Sequence, residues 1–577
     1  MNEAPDKVTT NRNLLLDAQK RGPLATVGAF LRLSGPGWLQ SAITLGGGSL
    51  AGSLFLGLLG GTSLLWLQLV AIIMGVIMLS AISYVTLSTG ERPFQSINSH
   101  INPVLGWGWI IATCMANIIW CMPQFGLSFD ALQKNLLIGQ LSDSDYSKAG
   151  ASFILLAIAL GIVMMNSRKG LMSKIFDYFL KAMVATAVLS FFGVVVYLSI
   201  KGKLNWGEIL AGFVPDLRQW NQPTGKMMAV LQQVPTDYRE FWNEQIVSQQ
   251  RNVMIGAAAT AVGINMTFLL PYSMLNRGWD KPFRGLARFD LVTGMAIPYL
   301  LATSCVVIAA ASAFHATADE NFLSSDPAVI VESPIYGGVQ GVLEKRLKKE
   351  HGNEVFADLD DDAKEQRIAQ LAAKLSTEEK ILASGLVKRD AFQLSHSLAP
   401  LLTESGARWI FGIGVFSMGF STIIILMLIN GYAVCEMFNK PDDKVLFAVG
   451  CLISGVAGAM WWQVWSGDSR FWLTILASVF GMMLLPIAYV TFFMMMNSKR
   501  LMGKEKPTGA RLAVWNVLMF VAVAGAVVAA GSAIFTRIQD KSNPMVGRVV
   551  IGMAAVYGVL VVIGFFLTPK HSASNSE

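Results

Sequence analysis

About twelve stretches of the chain are apolar and long enough to cross a lipid bilayer. The bilayer core holds no water, so a spanning segment must satisfy its own backbone N–H and C=O groups, which favours helices. The pattern therefore predicts an all-α polytopic membrane protein. The predicted segments are residues 36–60, 63–88, 104–125, 150–166, 175–200, 252–277, 289–314, 406–432, 444–463, 470–497, 511–536 and 546–568.

The composition supports this class. Of the 577 residues, 53% are hydrophobic and only 14% are charged, which is typical of a membrane protein and not of a soluble enzyme. The net charge of +7 needs no nucleic-acid partner, because cytoplasmic loops of membrane proteins are rich in Lys and Arg. No Walker-type phosphate-binding motif is found. We predict neither an enzymatic activity nor a cofactor.

Basic residues concentrate in the predicted loops that lie on the side of the N-terminal arm. Since cytoplasmic loops are enriched in Lys and Arg, this bias predicts a multi-pass protein of the cell (plasma or inner) membrane with both termini in the cytoplasm. The first 35 residues have no separate apolar core and are interpreted as a cytoplasmic arm. The basic loop residues are Arg168, Lys169, Lys174, Arg277, Lys281, Arg284, Arg288, Lys499, Arg500, Lys504, Lys506 and Arg511.

Two predicted loops on the opposite, outer side are long, residues 201–251 and 315–405. Within the second, residues 343–386 are rich in Lys, Glu and Ala and could form two amphipathic helices. We favour a solvated cap there over a separate functional domain.

Three consecutive glycines, Gly46, Gly47 and Gly48, lie inside the first apolar segment. Glycine destabilises a helix interior by about 1 kcal/mol relative to alanine. Broken helices are tolerated at membrane depth where they line an enclosed cavity, and transporters bind substrates at such breaks. The triplet therefore indicates a solute site, with close helix packing as the alternative.

Four motifs begin the first segment, lie within the third and eighth, and end the tenth. They are GPGWLQSAI at residues 35–43, IIATCMAN at 110–117, IFGIGVFSMGFST at 410–422, and LPIA at 485–488 followed by MNSKRLMG at 496–503. In sequence and in order they resemble motifs of the NRAMP family of proton-coupled importers of divalent transition metals.

The resemblance implies a LeuT-type fold, in which two inverted five-helix repeats, segments 1–5 and 6–10, enclose a site between broken helices 1 and 6. The expected organisation starts with a cytoplasmic arm (1–35), the first transmembrane repeat (36–200) and an outer loop (201–251). The second repeat (252–497) contains the outer helical insertion (315–405). Peripheral helices 11 and 12 and a cytoplasmic tail (498–577) complete the chain.

The resemblance also assigns the site, with its usual ligands replaced. The family's Asp-Pro-Gly-Asn in helix 1 falls on the three glycines and a serine, and its Met-Pro-His in helix 6 falls on Asn-Met-Thr. A shift of one residue in helix 6 would bring Met266 to the ligand position. One acid of the family's proton route falls on Asn117, for which an interhelical hydrogen bond is an equal alternative. The predicted substrate-binding residues are Gly46, Gly47, Gly48, Ser49, Asn265, Met266, Thr267, Asn117 and Ser478.

These replacements leave no carboxylate or imidazole to hold a bare divalent cation. Dehydrating an uncompensated charge in a low-dielectric site is very unfavourable, so we predict no metal site and the loss of tight transition-metal binding. Unwound glycines expose N–H groups, and a helix N-terminus attracts anions. A small polar or carboxylate-bearing solute is therefore favoured.

Three alternatives stay open. The chain could transport a largely hydrated divalent cation such as Mg²⁺. It could be a non-transporting membrane scaffold or receptor that binds a protein partner through residues 315–405, or it could be a passive channel. The predicted partners are the lipid bilayer and a small solute or ion.

Overall fold

A computed structural model describes residues 7–166, 171–356, 359–402, 404–464, 470–539 and 544–567. Within these ranges every regular element is helical. The α-helices are α1 (Lys7–Arg21), α2 (Pro23–Leu33), α3 (Pro36–Thr44), α4 (Gly47–Gly60), α5 (Trp66–Thr89), α6 (Pro93–His100), α7 (Pro103–Ala131), α8 (Asp145–Asn166), α9 (Leu171–Ile200), α10 (Trp206–Ala211), α11 (Lys226–Gln233), α12 (Thr236–Thr260), α13 (Ile264–Asn276), α14 (Arg284–Leu291), α15 (Ile297–Phe314), α16 (Glu320–Leu323), α17 (Pro327–Val331), α18 (Tyr336–His351), α19 (Asp361–Ala372), α20 (Thr377–Ser384), α21 (Ala391–Leu402), α22 (Glu404–Met437), α23 (Lys444–Ala459), α24 (Trp461–Val464), α25 (Arg470–Asn497), α26 (Lys499–Met502), α27 (Gly509–Ile538) and α28 (Pro544–Leu567).

Among the described residues, nine helical stretches are long and apolar enough to cross a membrane, and the bent pair α3–α4 makes a tenth. The predicted segments missing from this count are the sixth, which is divided between the end of α12 and the 13-residue α13, and the ninth, where α23 has only 16 residues. The helical membrane class is confirmed, while the number of twelve spans stays a prediction.

Helix α12 begins at Thr236, although the hydropathy pattern places the start of the sixth segment at residue 252. The polar residues 236–251 carry no proline or glycine that would end a helix, and Pro235 immediately precedes the first turn. Helix α12 is therefore one continuous helix that joins a polar half to an apolar half. The predicted start falls too late because a hydropathy pattern detects only the apolar part of such a helix.

Helices α7 and α22 pack against each other in antiparallel register. Asn117 Nδ2 donates to Asn430 Oδ1 over 3.2 Å. Eleven residues further along α7, Ser128 lies opposite Gly419, eleven residues back along α22, where an added Cβ would meet Ser128 Oγ at 2.6 Å. The two long helices therefore form a core against which the broken helices pack.

The two ends of the molecule carry different accessories. At one end, the arm end, α1 and α2 pack on the loop and helix around α14, with Arg12 paired to Asp280 at 3.3 Å and the rings of Phe30 and Phe289 5.2 Å apart. At the other, the cap end, residues 315–405 fold into α16–α21, and α18, α19 and α20 occupy the stretch for which two amphipathic helices are predicted.

A buried ion pair within the cap contacts α12. Arg346 Nε donates to Glu379 Oε1 over 2.5 Å, and Trp242 Nε1 donates to the same oxygen over 2.9 Å. The guanidinium of Arg346 also lies 3.3 Å from the ring centroid of Tyr238. Because Arg346 and Glu379 are almost fully buried, the cap packs as part of the helical body.

Candidate functional site

The first break separates α3 from α4, and the two helices are bent by 55°. Helix α3 ends at Thr44, and Gly46 is extended with φ −93° and ψ −176°. A Cβ on Gly46 would lie 2.9 Å from Thr422 Oγ1, and one on Gly47 would lie 3.1 Å from Leu127 Cδ2. Glycine therefore allows close approach at a real break, although the second and third glycines belong to the first turn of α4.

Hydroxyl groups cover the carbonyls at the end of α3. Ser49 Oγ donates to the Thr44 carbonyl. The Ala42 carbonyl accepts from Ser421 Oγ at 3.1 Å and from Thr422 Oγ1 at 3.0 Å. The carbonyl oxygens of Ala42 and Thr44 thus already have hydroxyl partners, although the Ser421 and Thr422 hydroxyls also face the Met418 carbonyl.

The backbone N–H groups at the start of α4 have fewer hydrogen-bond partners than the carbonyls at the end of α3. The Gly47 N–H donates to Gln124 Oε1 over 3.0 Å. The N–H groups of Gly48 and Ser49 have no acceptor among the described residues, and both residues are only half-buried. A helix N-terminus carries a partial positive charge, so this turn offers free donors to a ligand.

The second break lies between α12 and α13, at residues 261–263. Gly263 is extended, and a Cβ there would overlap the ring of Trp120. The next three residues after Ile264, namely Asn265, Met266 and Thr267, are buried. The chain is therefore interrupted twice, at the two positions where the sequence predicts broken helices.

Met266 connects the two breaks. Its Sδ accepts a hydrogen bond from Thr44 Oγ1, the last residue of α3, over 3.4 Å. Thr267 instead faces α7, where its Oγ1 accepts from Trp109 Nε1 at 2.9 Å. Of the three residues predicted in helix 6, Met266 thus lies against the first break, as a shift of one residue in the alignment would require.

Asn265 begins a chain of side-chain amides. Its Nδ2 donates to Asn117 Oδ1 over 3.1 Å, and Asn117 Nδ2 donates to Asn430 Oδ1 over 3.2 Å. Asn430 Nδ2 in turn donates to the Gly450 carbonyl over 3.3 Å. Asn117 therefore hydrogen-bonds to both α13 and α22, as the interhelical alternative predicts, while a role in binding a solute stays a prediction.

The remaining predicted residue, Ser478, lies in α25, but its side chain falls outside the described residues. Four residues that sequence reasoning missed contribute here: Thr44, Gln124, Asn430 and Gln40. Gln40 is fully buried one turn before the first break, and neither polar atom of its side chain has a partner in the described part of the chain. Their common signal is a polar side chain inside an otherwise apolar segment.

No formal charge lies on three of the four helices that flank the breaks, and the charged side chains of the fourth, α12, lie in its polar half at residues 236–251. Helices α3, α4 and α13 contain no acidic, basic or histidine residue. Across the described ranges, no cluster of three or more His, Cys, Asp or Glu side chains could hold a metal ion. The site is built from amides, hydroxyls and one thioether.

A bundle of membrane-spanning helices with two broken helices around a polar site defines a multi-pass membrane transporter. The sequence matches the family model described as natural resistance-associated macrophage protein-like over residues 37–343 and 368–536, which is most of the chain. The protein therefore belongs to the NRAMP family. The ranges outside the match include α1 and α2 and part of the cap.

Solved structures of a manganese transporter from Eremococcus coleocola share this fold. One mutant of that transporter superposes with a TM-score of 0.62 at 12% identity, over 93% of this chain and 95% of that chain. The structure of that transporter in complex with an aromatic bis-isothiourea substituted compound gives a TM-score of 0.62 at 13% identity, over 94% of this chain and 96% of that chain. These likenesses confirm the predicted fold class. No curated protein sequence matches the chain.

Proposed function

We propose that this NRAMP family member transports a small polar solute that carries a carboxylate, and that it has lost tight binding of transition metals. The observation that carries the proposal is the polarity of the first break. Hydroxyls cover the carbonyls of Ala42 and Thr44, whereas the N–H groups of Gly48 and Ser49 stay available. Free donors at a helix N-terminus attract anions.

The chemistry of the second break supports the same proposal. Asn265 and Asn117 contribute neutral amides, and Met266 contributes the single sulfur that contacts the first break. A bare divalent cation would have to lose its water without gaining any carboxylate, which is strongly unfavourable in a low-dielectric site. A solute carboxylate at α4 and a polar group at Asn265 or Thr44 would both find neutral partners.

Binding to the purified full-length protein tests this. We would measure thermal stability with L-alanine and succinate as carboxylate probes, and with MnCl₂ and MgCl₂ as cation probes. A ligand at one hundred times its dissociation constant adds about 2.7 kcal/mol of apparent stability. We expect stabilisation by at least one carboxylate probe. Micromolar binding of Mn²⁺ without any response to the carboxylates would overturn the proposal.

Gln124→Glu makes the test specific to the break. The new carboxylate would face the Gly47 N–H and neutralise the start of α4, so we expect carboxylate affinity to fall at least about tenfold. Gln68→Glu is the matched control, because Gln68 is also buried but bonds Ser53 and Tyr299 away from the break. Equal losses in both variants would assign the effect to stability alone.

Transport of hydrated Mg²⁺ is the second candidate. Gln40, buried and without a partner among the described residues, favours it because a free amide near the break could bind a water ligand of the ion. Stabilisation by MgCl₂ that is lost in Gln40→Leu would establish this candidate. The scaffold and channel alternatives, the cytoplasmic placement of the termini and a protein partner at residues 315–405 stay predictions.

A further inference from the structure

The direction of the amide chain is fixed at both of its ends. The Gly450 carbonyl can only accept, so Asn430 must turn its NH₂ group toward it. At the other end, the Met266 N–H can only donate, and Asn265 Oδ1 accepts it at 2.9 Å. The two ends require the same orientation of all three side chains, and Asn117, Asn265 and Asn430 are fully or almost fully buried.

A carboxylate at position 265 would conflict with this direction. Both of its oxygens can only accept, so Asn117 would have to turn its NH₂ group toward residue 265. Its Oδ1 would then face Asn430, which would have to turn in the same way. Asn430 Oδ1 would finally face the Gly450 carbonyl, where the present contact is 3.3 Å. The result is a buried pair of acceptors without a hydrogen, which is destabilising.

We propose that Asn430 is a positioning residue that, through Asn117, fixes the amide of Asn265 with its Oδ1 toward the Met266 N–H, and that this fixed direction leaves no place for a carboxylate at position 265. The proposal rests on the proposed function and deepens it, because a carboxylate is a ligand that a divalent cation would need at the second break. Asn430 lies on α22 and Gly450 on α23, so two helices outside the breaks set this direction.

The test is a double-mutant cycle that uses Mn²⁺ alone as the probe, with Asn265→Asp, Asn430→Leu and both together. Leucine has roughly the size of asparagine but neither donates nor accepts, so Asn117 can turn toward the new carboxylate without a conflict at Gly450. We expect the double variant to bind Mn²⁺ at least about tenfold more tightly than Asn265→Asp. Asn430→Leu alone should not gain affinity, because it adds no charge.

Thermal unfolding of the same four proteins gives a second readout. Asn265→Asp should lower the melting temperature less in the Asn430→Leu background than in the wild type. Sites without shared partners normally contribute additively, so additive shifts together with Mn²⁺ affinities equal within twofold would overturn the proposal. If neither protein that carries Asn265→Asp binds Mn²⁺, the melting temperatures decide.

Asn166→Leu is the matched control, because Asn166 donates to Tyr432 on α22 outside the amide chain. Combined with Asn265→Asp, it should not change Mn²⁺ affinity. If Asn430→Leu does not fold, Asn430→Ser replaces it, since a short hydroxyl also removes the fixed orientation. Micromolar binding of Mn²⁺ by the wild type without any response to the carboxylate probes would overturn the proposed function, whereas loss of the coupling would overturn only the role of Asn430.

Discussion

The two ends of the broken helix formed by α3 and α4 are held in opposite ways. At the arm end, the buried Asp290 carboxylate accepts from the N–H groups of Gly35 at 3.1 Å and Gly37 at 2.6 Å, and from the Ser34 hydroxyl. An ion pair between Arg277 and Asp177, 2.8 Å apart, lies beside it. Formal charges therefore hold the start of α3.

At the cap end, a neutral imidazole holds α4. His315 Nδ1 donates to the Leu58 carbonyl over 3.0 Å, and the Lys226 N–H donates to His315 Nε2 over 3.1 Å. A Cβ on Gly61 would lie 2.8 Å from the ring. The two bonds together require the form with one proton, on Nδ1, so this contact exists only while His315 is uncharged.

The two ends of the broken helix therefore differ in whether charged groups hold them. Charged groups fix the start of α3, whereas the hydrogen bonds described at the two breaks and those that His315 makes at the end of α4 are neutral. A site without charge can then bind a solute without disturbing the ion pairs that hold the helix. Four substitutions or conditions test this division, from the largest expected effect to the smallest.

Asp290→Ala should have the largest effect. It leaves the buried N–H groups of Gly35 and Gly37 without an acceptor and removes a negative charge beside Arg277, so we expect a loss of about 3 kcal/mol in the free energy of unfolding. Chemical denaturation of the purified protein measures it. Asp290→Asn keeps one acceptor and should lose less. An unchanged stability in Asp290→Ala would contradict the claim that charge holds this end.

Gly57→Ala tests packing toward the cap end. The new Cβ would meet the Val307 carbonyl on α15 and lie 2.9 Å from Ala310 Cβ, so the two helices must separate. We expect a loss of about 2 kcal/mol from overpacking. Gly52→Ala on the same helix is the control, because nothing lies within 4 Å of its Cβ, and it should be neutral or slightly stabilising. Equal melting temperatures for the two variants would refute the expected close packing.

Acid should loosen the contact of His315 at the cap end. Burial, with a smaller contribution from Lys226, lowers the pKa of His315 below its usual 6.5. The stabilisation from the neutral ring is therefore complete above about pH 6.5 and is lost as the pH falls below it, at up to about 1.4 kcal/mol per pH unit. Melting temperatures between pH 7.5 and 5.5 measure this. His315→Gln should show a weaker pH dependence, and an equal dependence in both proteins would reject the assignment.

Arg12→Ala should have the smallest effect. The pair between Arg12 and Asp280 is about half exposed on both sides, and such pairs contribute about 0.5 kcal/mol or less, decreasing with added salt. Thermal unfolding at low and high salt checks this. A loss as large as that of Asp290→Ala would mean that the arm, and not the buried carboxylate, holds the arm end.

The sequence predicts the first break well because its cause is local. Three successive glycines weaken a helix wherever it packs, and Gly46 is indeed extended between α3 and α4. The second break lies just before the residues that the resemblance assigns to helix 6, but which of Asn265 and Met266 faces the first break is seen only from the contact of the Met266 sulfur with Thr44. The direction of a side chain at the start of a helix depends on the helix that packs against it. A local sequence pattern carries no information about that neighbour.

Asn430 and Gln124 could not be assigned from the sequence for a related reason. Each is a single polar residue in a long apolar segment, and its role depends on a partner far along the chain, Asn117 for one and Gly47 for the other. Only the antiparallel register of α7 and α22 brings the two asparagines together. The same holds for Asp290, whose partners are backbone groups at the start of α3.

The continuity of α12 has a mechanical consequence. Its 25 residues make a rod of about 37 Å that runs without interruption from Tyr238, beneath the Arg346 guanidinium, to the second break. A tilt of about 5° at the break displaces the far tip by about 3 Å at this length. A tilt of α12 at the second break would therefore also displace the end of the helix that contacts the cap.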